Sequence, residues 1–284
     1  MAFTSAGSYQ FIKCVSVGSM TQVWHGYSSL LEIPVAIKMP VEELKQDRRV
    51  IEALRKEYVI GREFHHAKIV EMYDFLQEKG ETFLVMEWVP FNPLRDVLSE
   101  GLESYGWRVH KMIEDMAEAL ACFNSFGWVH RDLSPDVFMV NRETNETRLI
   151  EFLFAQRPNH LWSRLLGSDE VPQRGRYLAP EQIRGEGRDQ RSDIYSLACI
   201  FFEMATGVPP FAGENFNQLA HQHLNVPVPA ADAINPNLTE EFTKLLRQCM
   251  AKSPSERPST SHEVYNALKE MKIFIRNPER RGER

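Results

Sequence analysis

At 284 residues and 43% hydrophobic content, the chain can form one large domain or two lobes sharing a cleft, with the composition of an ordinary globular protein. A formal net charge of −6 argues against nucleic acid as a main partner. No run approaches ~18 uninterrupted apolar residues, so no membrane span is expected.

Alternation over 11–24, interrupted at Gly18-Ser19, predicts two strands and a turn, and Val35-Ala36-Ile37-Lys38 a third strand. Apolar residues at helical spacing (Val50, Leu54, Tyr58) predict a helix over 44–64. Residues 69–76 and 82–89 read as strands joined by a polar hairpin, and Pro90 and Pro93 punctuate a linker. From Leu94 the pattern turns helical. Val109, Met112, Ile113, Met116 and Leu120 mark a long core helix over 107–126, and further helices are predicted over 191–206, 216–223, 240–250 and 261–272. The last is read as capped by Ser261 and Glu263. Residues 276–284 are charged and aperiodic, as in a flexible tail or the start of a linker.

The cysteines, Cys14, Cys122, Cys199 and Cys249, lie far apart without a CxxC pair and read as packing thiols in a reducing compartment. The N-terminus lacks a charged n-region and an apolar core, so no signal peptide is expected and the expected location is cytoplasmic. His65 and His66 read as loop and packing residues rather than ligands, and Phe201-Phe202 as core.

One stretch carries more than its composition. His130-Arg131-Asp132 is followed by Val137, a short apolar run, a polar turn and Glu151-Phe152-Leu153. Val35-Ala36-Ile37-Lys38, Glu57, Met86-Glu87-Trp88-Val89, Ala179-Pro180-Glu181, Asp193 and Arg257 stand before and after it in a fixed order. This set resembles the protein kinase family, whose motifs include V-A-I-K, H-R-D-L-x-x-x-N, D-F-G and A-P-E. The stretch from Tyr177 into the following helix is similar to that of bacterial serine/threonine kinases. The resemblance spans about 9–272 and implies an α+β, bilobal protein kinase-like fold. A small β-rich lobe with one helix is expected over 9–89, a larger α-helical lobe over 90–275 and the tail over 276–284.

It also implies roles. Lys38 is expected to grip nucleotide phosphates with Glu57 as its acidic partner, and Asp132 to be the catalytic carboxylate. Gly18 remains of the glycine-rich loop. Val23, Ala36 and Met139 match residues that sandwich adenine, Met86 matches the gatekeeper, and Glu87 and Val89 lie on the hinge. Asp193 is expected to brace the catalytic loop, and Arg257 to pair with Glu181.

The chemistry departs from the family pattern. Val137 stands where the family has a metal-binding Asn and cannot ligate a cation. Glu151 keeps a carboxylate one methylene longer than the usual Asp, whereas Mg2+ demands near-octahedral oxygens at about 2.0–2.1 Å. Asp136, beside Val137, is read as pointing elsewhere along an extended segment. Only Gly18 remains of G-x-G-x-x-G, against Ser16 and Thr21. Leu153 replaces the last glycine of D-F-G. Ser134 stands at a family Lys position, and Arg174 is expected to pair with Asp132 and block it. Met72, Phe152 and His130 match an apolar stack whose fourth member falls on Gly61, predicting a gap or a repacked helix. In the segment 151–181, Ser163 and Ser168 are the hydroxyl candidates, with Arg131 as phosphate receiver. Leu161, Trp162, Leu165 and Leu166 make that segment apolar. The reading is a catalytically impaired pseudokinase that signals by binding an unidentified protein partner, with weak or absent ATP binding and poorly held Mg2+. The alternative is a divergent active serine/threonine protein kinase using Lys38, Glu57, Asp132 and Glu151 with one displaced metal.

Overall fold

The structure, a computed structural model, describes residues 5–158, 175–187 and 189–279. These fall into two units, one drawn from Met1–Pro90 and Ile150–Leu153, the other from Phe91–Leu149 and Phe154–Arg284. Arg174, Ser163, Ser168, Leu161, Trp162, Leu165 and Leu166 lie outside the described residues.

In the first unit an antiparallel sheet comprises β1 (Ser5–Ala6), β2 (Tyr9–Val17), β3 (Thr21–Ser28), β4 (Ile33–Pro40), β5 (Met72–Glu78) and β6 (Glu81–Glu87), in the spatial order β1-β2-β3-β4-β6-β5. Strands β4 and β6, each with an apolar run, pair in the interior of the sheet and are buried along nearly their whole length. Strand β2, interleaved with polar residues, is largely exposed. Helix α1 (Arg48–Gly61) starts later than the sequence pattern predicts. Asp47 caps it by accepting from the Arg49 N–H, and residues Glu42–Leu44 form a separate 3-10 turn. Its buried face carries Val50, Leu54, Glu57 and Gly61, spaced i, i+4, i+7 and i+11. Glu57 thus sits on the apolar stripe.

No gap lies at Gly61. A Cβ added there would sit 2.2 Å from Met72 Cγ and 3.3 Å from the Phe152 ring, so Met72 already fills the space. The absent side chain lets strand and helix approach; the expected void is corrected to a close contact.

The second unit is mainly helical: α2 (Leu94–Ser99), α3 (Leu102–Tyr105), α4 (Val109–Ser125), α5 (Pro180–Ile183), α6 (Gln190–Thr206), α7 (Phe216–Asn225), α8 (Ala231–Ile234), α9 (Glu240–Cys249) and α10 (Ser261–Glu270). A small sheet joins β7 (Asn92–Pro93), β8 (Phe138–Val140) and β9 (Thr147–Leu149). From Ser192 to Thr206 every residue of α6 is buried, so this helix is the axis of the unit's core. It ends at Gly207, whose left-handed φ of 79° suits glycine as the closing residue. Helix α10 packs on α4 and α9 on α6.

The N-cap of α10 is Thr260, one residue before the predicted cap. Its Oγ1 accepts from the Glu263 N–H while the Glu263 carboxylate accepts from the Ser259 N–H. All four cysteines are free thiols, Cys199 and Cys249 fully buried. Among the described residues no helix is long and apolar enough to cross a membrane.

Candidate active site

Strand register fixes part of the first unit's site. Val23 lies opposite Lys38, and Met86 lies opposite Ala36. Residues two apart on a strand share a face, so Val23, Ala36, Lys38 and Met86 line one side of the sheet. Lys38 is only 3% exposed, and burying an ammonium requires a counter-charge. Glu57 supplies it from the buried stripe of α1, its two oxygens 3.0 and 2.9 Å from Lys38 Nζ. Glu57 Oε1 also accepts from the Phe152 N–H at 3.0 Å, which fastens Ile150–Leu153 to this unit.

Glu151 comes next. Its Oε1 lies 4.0 Å from Lys38 Nζ, with 21% of its side chain exposed. Two carboxylates therefore face one ammonium. Burial raises the pKa of Glu57, Lys38 opposes that, and the Glu151 charge pushes it up again. On the hinge, the Glu87 N–H bonds Glu71 O at 2.8 Å, and Val89 is buried. Gly18 donates its N–H to Thr21 O at 2.8 Å across the β2–β3 turn, so that amide is committed within the hairpin and not free for a phosphate.

The second unit holds the His130-Arg131-Asp132 turn. Asp193, on α6, accepts from the His130 N–H at 2.7 Å, the Arg131 N–H at 2.9 Å and Asn124 Nδ2 at 3.0 Å. Burial raises the Asp193 pKa to about 6, with those donors opposing. Arg131 adopts a left-handed φ of 72°, a conformation that side chains other than glycine rarely hold unless surroundings impose it. Asp193 is one such constraint. Gln182 is another: its Nε2 donates to Arg131 O at 2.8 Å and its Oε1 accepts from the Ala179 N–H at 3.0 Å. Sequence reasoning did not single out Gln182 or Asn124. The available signal for Asn124 was a polar residue near the end of α4's apolar stripe. Asp132 is buried, its N–H 3.4 Å from His130 Nδ1.

The segment Pro135–Val137 is a 3-10 turn rather than the extended stretch expected. The turn sends Asp136 toward solvent and Arg95, 3.3 Å away, and buries Val137 completely. Ser134 is fully buried, its Oγ 3.4 Å from Asp136 Oδ2. Met139, on β8, lies opposite Arg148. The expected Glu181–Arg257 pair forms, with contacts of 2.7 and 2.9 Å. Whether Arg174 reaches Asp132 lies outside the described residues.

Val137 brings only hydrocarbon where the family resemblance calls for an oxygen ligand, and Glu151 faces Lys38. No group of three or more His, Cys, Asp or Glu side chains is placed to hold a metal among the described residues.

A lysine–glutamate pair on a β-sheet unit, with an Asp-braced H-R-D turn in a helical unit, is the constellation of a protein kinase. The protein kinase domain model matches residues 9–268, and the chain belongs to that family. It is similar to the probable serine/threonine-protein kinase PknB of Corynebacterium glutamicum, 30% identical over 272 residues that cover 93% of this chain and 42% of the relative. The serine/threonine-protein kinase PknB of Mycolicibacterium smegmatis is 29% identical over 261 residues, covering 90% of this chain and 41% of the relative. The chain thus spans about two fifths of the length of these curated relatives.

Proposed function

We propose that this protein kinase domain is impaired in phosphoryl transfer and acts mainly by presenting its surface to a protein partner inside the cell, with weak ATP binding that depends little on divalent metal. The observation that carries this reading is the complete burial of Val137 within a turn of the loop that bears Asp132. Phosphoryl transfer relies on metal ions to neutralise charge, and a buried valine supplies no ligand. Glu151 adds a second carboxylate beside the one lysine that would meet phosphate oxygens. The spent Gly18 amide weakens the phosphate grip further.

A second reading, an active serine/threonine kinase, is supported by the names of the relatives and by two assembled parts. The Lys38–Glu57 pair is made, and the Asp132 turn is held by Asp193. In that case Lys38 would neutralise phosphate oxygens and Asp132 would orient the attacking hydroxyl.

One set of assays separates them: radiolabel transfer from ATP by the full-length protein and its Asp132→Asn variant, beside a melting titration with ATP with and without Mg2+ or Mn2+. The first reading expects no Asp132-dependent label and a small, metal-independent melting shift. Asp132-dependent label, with a rise of several degrees only when metal is present, establishes the second.

A further inference from the structure

After α10 the chain turns back onto the helical unit. The helix ends at Glu270, and Met271 is extended, with φ −96° and ψ 140°. The strap that follows runs antiparallel to 237–239, with Leu238 facing Phe274 as a bridge pair. Every bond uses the strap's main chain. Thr239 donates its N–H to Ile273 O at 3.0 Å and its Oγ1 to Lys272 O at 2.5 Å, and the Ile275 N–H donates to Asn237 O at 2.7 Å. The Asn237 side chain acts as one more strand edge: Oδ1 accepts from the Arg276 N–H at 2.9 Å and Nδ2 donates to Arg276 O at 2.7 Å. Ile273 and Phe274 are buried, whereas Ile275 is 65% exposed. Farther on, Pro278 Cβ lies 3.4 Å from where a Gly106 side chain would begin, with Leu102 Cδ1 3.7 Å from the same point.

The receiving edge is fixed by contacts that do not involve the strap. Asn235 Oδ1 accepts from the Asn237 N–H at 3.1 Å, and Asn235 O accepts from the Leu238 N–H at 3.1 Å. Asn235 Nδ2 donates to Ala205 O at 2.7 Å, near the end of the buried axis helix. Thr239 caps α9 by accepting from the Phe242 N–H. The strap is held more lightly. The side-chain bonds from Asn237 and Thr239 lie at the surface, two of its side chains are buried, and it joins α10 through an extended residue. Segments with few buried apolar contacts and exposed backbone bonds open locally at low free energy. Once the strap lifts, the edge still presents the Asn237 and Thr239 donors and acceptors beside the hollows that Ile273 and Phe274 fill. Strand addition needs this combination, because main-chain bonds give affinity and a few side-chain pockets give specificity.

We propose that Asn237–Thr239, with the corner at Gly106, is a docking site for an extended peptide, filled in cis by residues 272–279 and open to the same segment supplied in trans. The pattern it takes is two adjacent apolar residues, the second followed four positions later by proline. The occupant is read through its backbone rather than its charges, and Lys272, Arg276 and Asn277 are accordingly exposed. The site stands whether or not the domain transfers phosphate.

Ile275→Pro in the full chain tests the site, because it deletes the N–H that bonds Asn237 O while changing a side chain that faces solvent. Hydrogen exchange at the Thr239 amide, on the receiving edge, should quicken about tenfold or more as its acceptor leaves. A synthetic peptide of residues 271–279 should bind this variant saturably and restore Thr239 protection. The same peptide carrying Ile275→Pro should do neither. The parent protein, its site filled in cis, should need more than about tenfold higher peptide concentration. Adding Asn237→Asp to the variant should weaken peptide binding about tenfold, since the donor to Arg276 O is lost. Should Ile275→Pro fail to fold, the parent decides: the Thr239, Ile275 and Arg276 amides should exchange through a local opening insensitive to low urea, while the Ile200 and Phe201 amides of α6 follow global unfolding. Strap amides that exchange only with global unfolding, unchanged Thr239 exchange in the variant, a peptide that does not bind it, equal binding of the two peptides, or equal affinity for parent and variant would each overturn the assignment.

Discussion

The pair between Glu181 and Arg257 offers the sharpest test of how the helical unit is held together. Both side chains are essentially inaccessible, at 3% and 0% exposure. Arg257 spends its whole fork. Beyond the 2.7 and 2.9 Å contacts to Glu181, its Nη1 donates to Arg191 O at 2.9 Å, its Nη2 to Lys252 O at 3.2 Å and its Nε to Ala251 O at 2.8 Å. Ser192 Oγ adds a 2.7 Å bond to Glu181. Arg257→Ala deletes the cation, leaves three carbonyls short of a donor and strands a buried carboxylate. Breaking one side of a buried pair costs about 3–5 kcal/mol, while replacing both partners by apolar residues is often near neutral. At about 2–4 °C per kcal/mol for domains of 150–250 residues, the melt should fall by about 6–20 °C. Thermal and urea unfolding of Arg257→Ala, Glu181→Ala and Arg257→Leu/Glu181→Leu would measure it. The double variant should lose clearly less than the sum of the singles, the mark of coupled sites. An Arg257→Ala melt within a degree or two of the parent, or strictly additive losses, would refute the reasoning.

Gly61→Ala should destabilise despite alanine's better helix propensity. The new methyl must displace Met72 Cγ from 2.2 Å, and overpacking of about 1–3 kcal/mol outweighs a propensity gain of up to about 1 kcal/mol. Adding Met72→Ala should relieve much of the clash in urea unfolding, and an unchanged midpoint for Gly61→Ala alone would sink the contact. His223 is fully buried, its Nε2 3.1 Å from Arg176 O and its Nδ1 2.9 Å from the Tyr195 hydroxyl; burial lowers its pKa from 6.5 to about 4. The unfolded chain therefore binds more protons between those values. The resulting stability, about 3 kcal/mol, is present above pH 6.5 and lost as pH falls toward 4. His223→Gln should flatten the pH dependence in that window by one proton, and parallel curves for the two proteins would exclude the assignment.

Much of the fold was legible because local pattern and tertiary role agree. The spacing of Val50, Leu54 and Tyr58 predicts the helix, the family resemblance singles out Glu57 on it as the partner of Lys38, and β4 carries Lys38 in an apolar run that must be buried. The 3-10 turn at Pro135–Val137 was not legible, since a proline and two residues compatible with either state do not separate turn from strand. The cap of α10 shifted by one residue for a similar reason: Thr260 and Ser261 are both good caps, and only backbone direction chooses between them.

By itself the sequence determined the order of the longer strands and helices, the family, and the absence of any donor atom on the Val137 side chain, for these depend on residue type and periodicity. What the tertiary structure decided depends on distances between segments remote along the chain. Packing brings Glu151 to 4.0 Å from Lys38, seats Met72 in the volume Gly61 leaves open, and sets Arg95 on partners 41 and 82 residues away. No local pattern encodes such meetings, because charge and hydrogen-bond energies turn on ångström separations that exist only once the cores have packed.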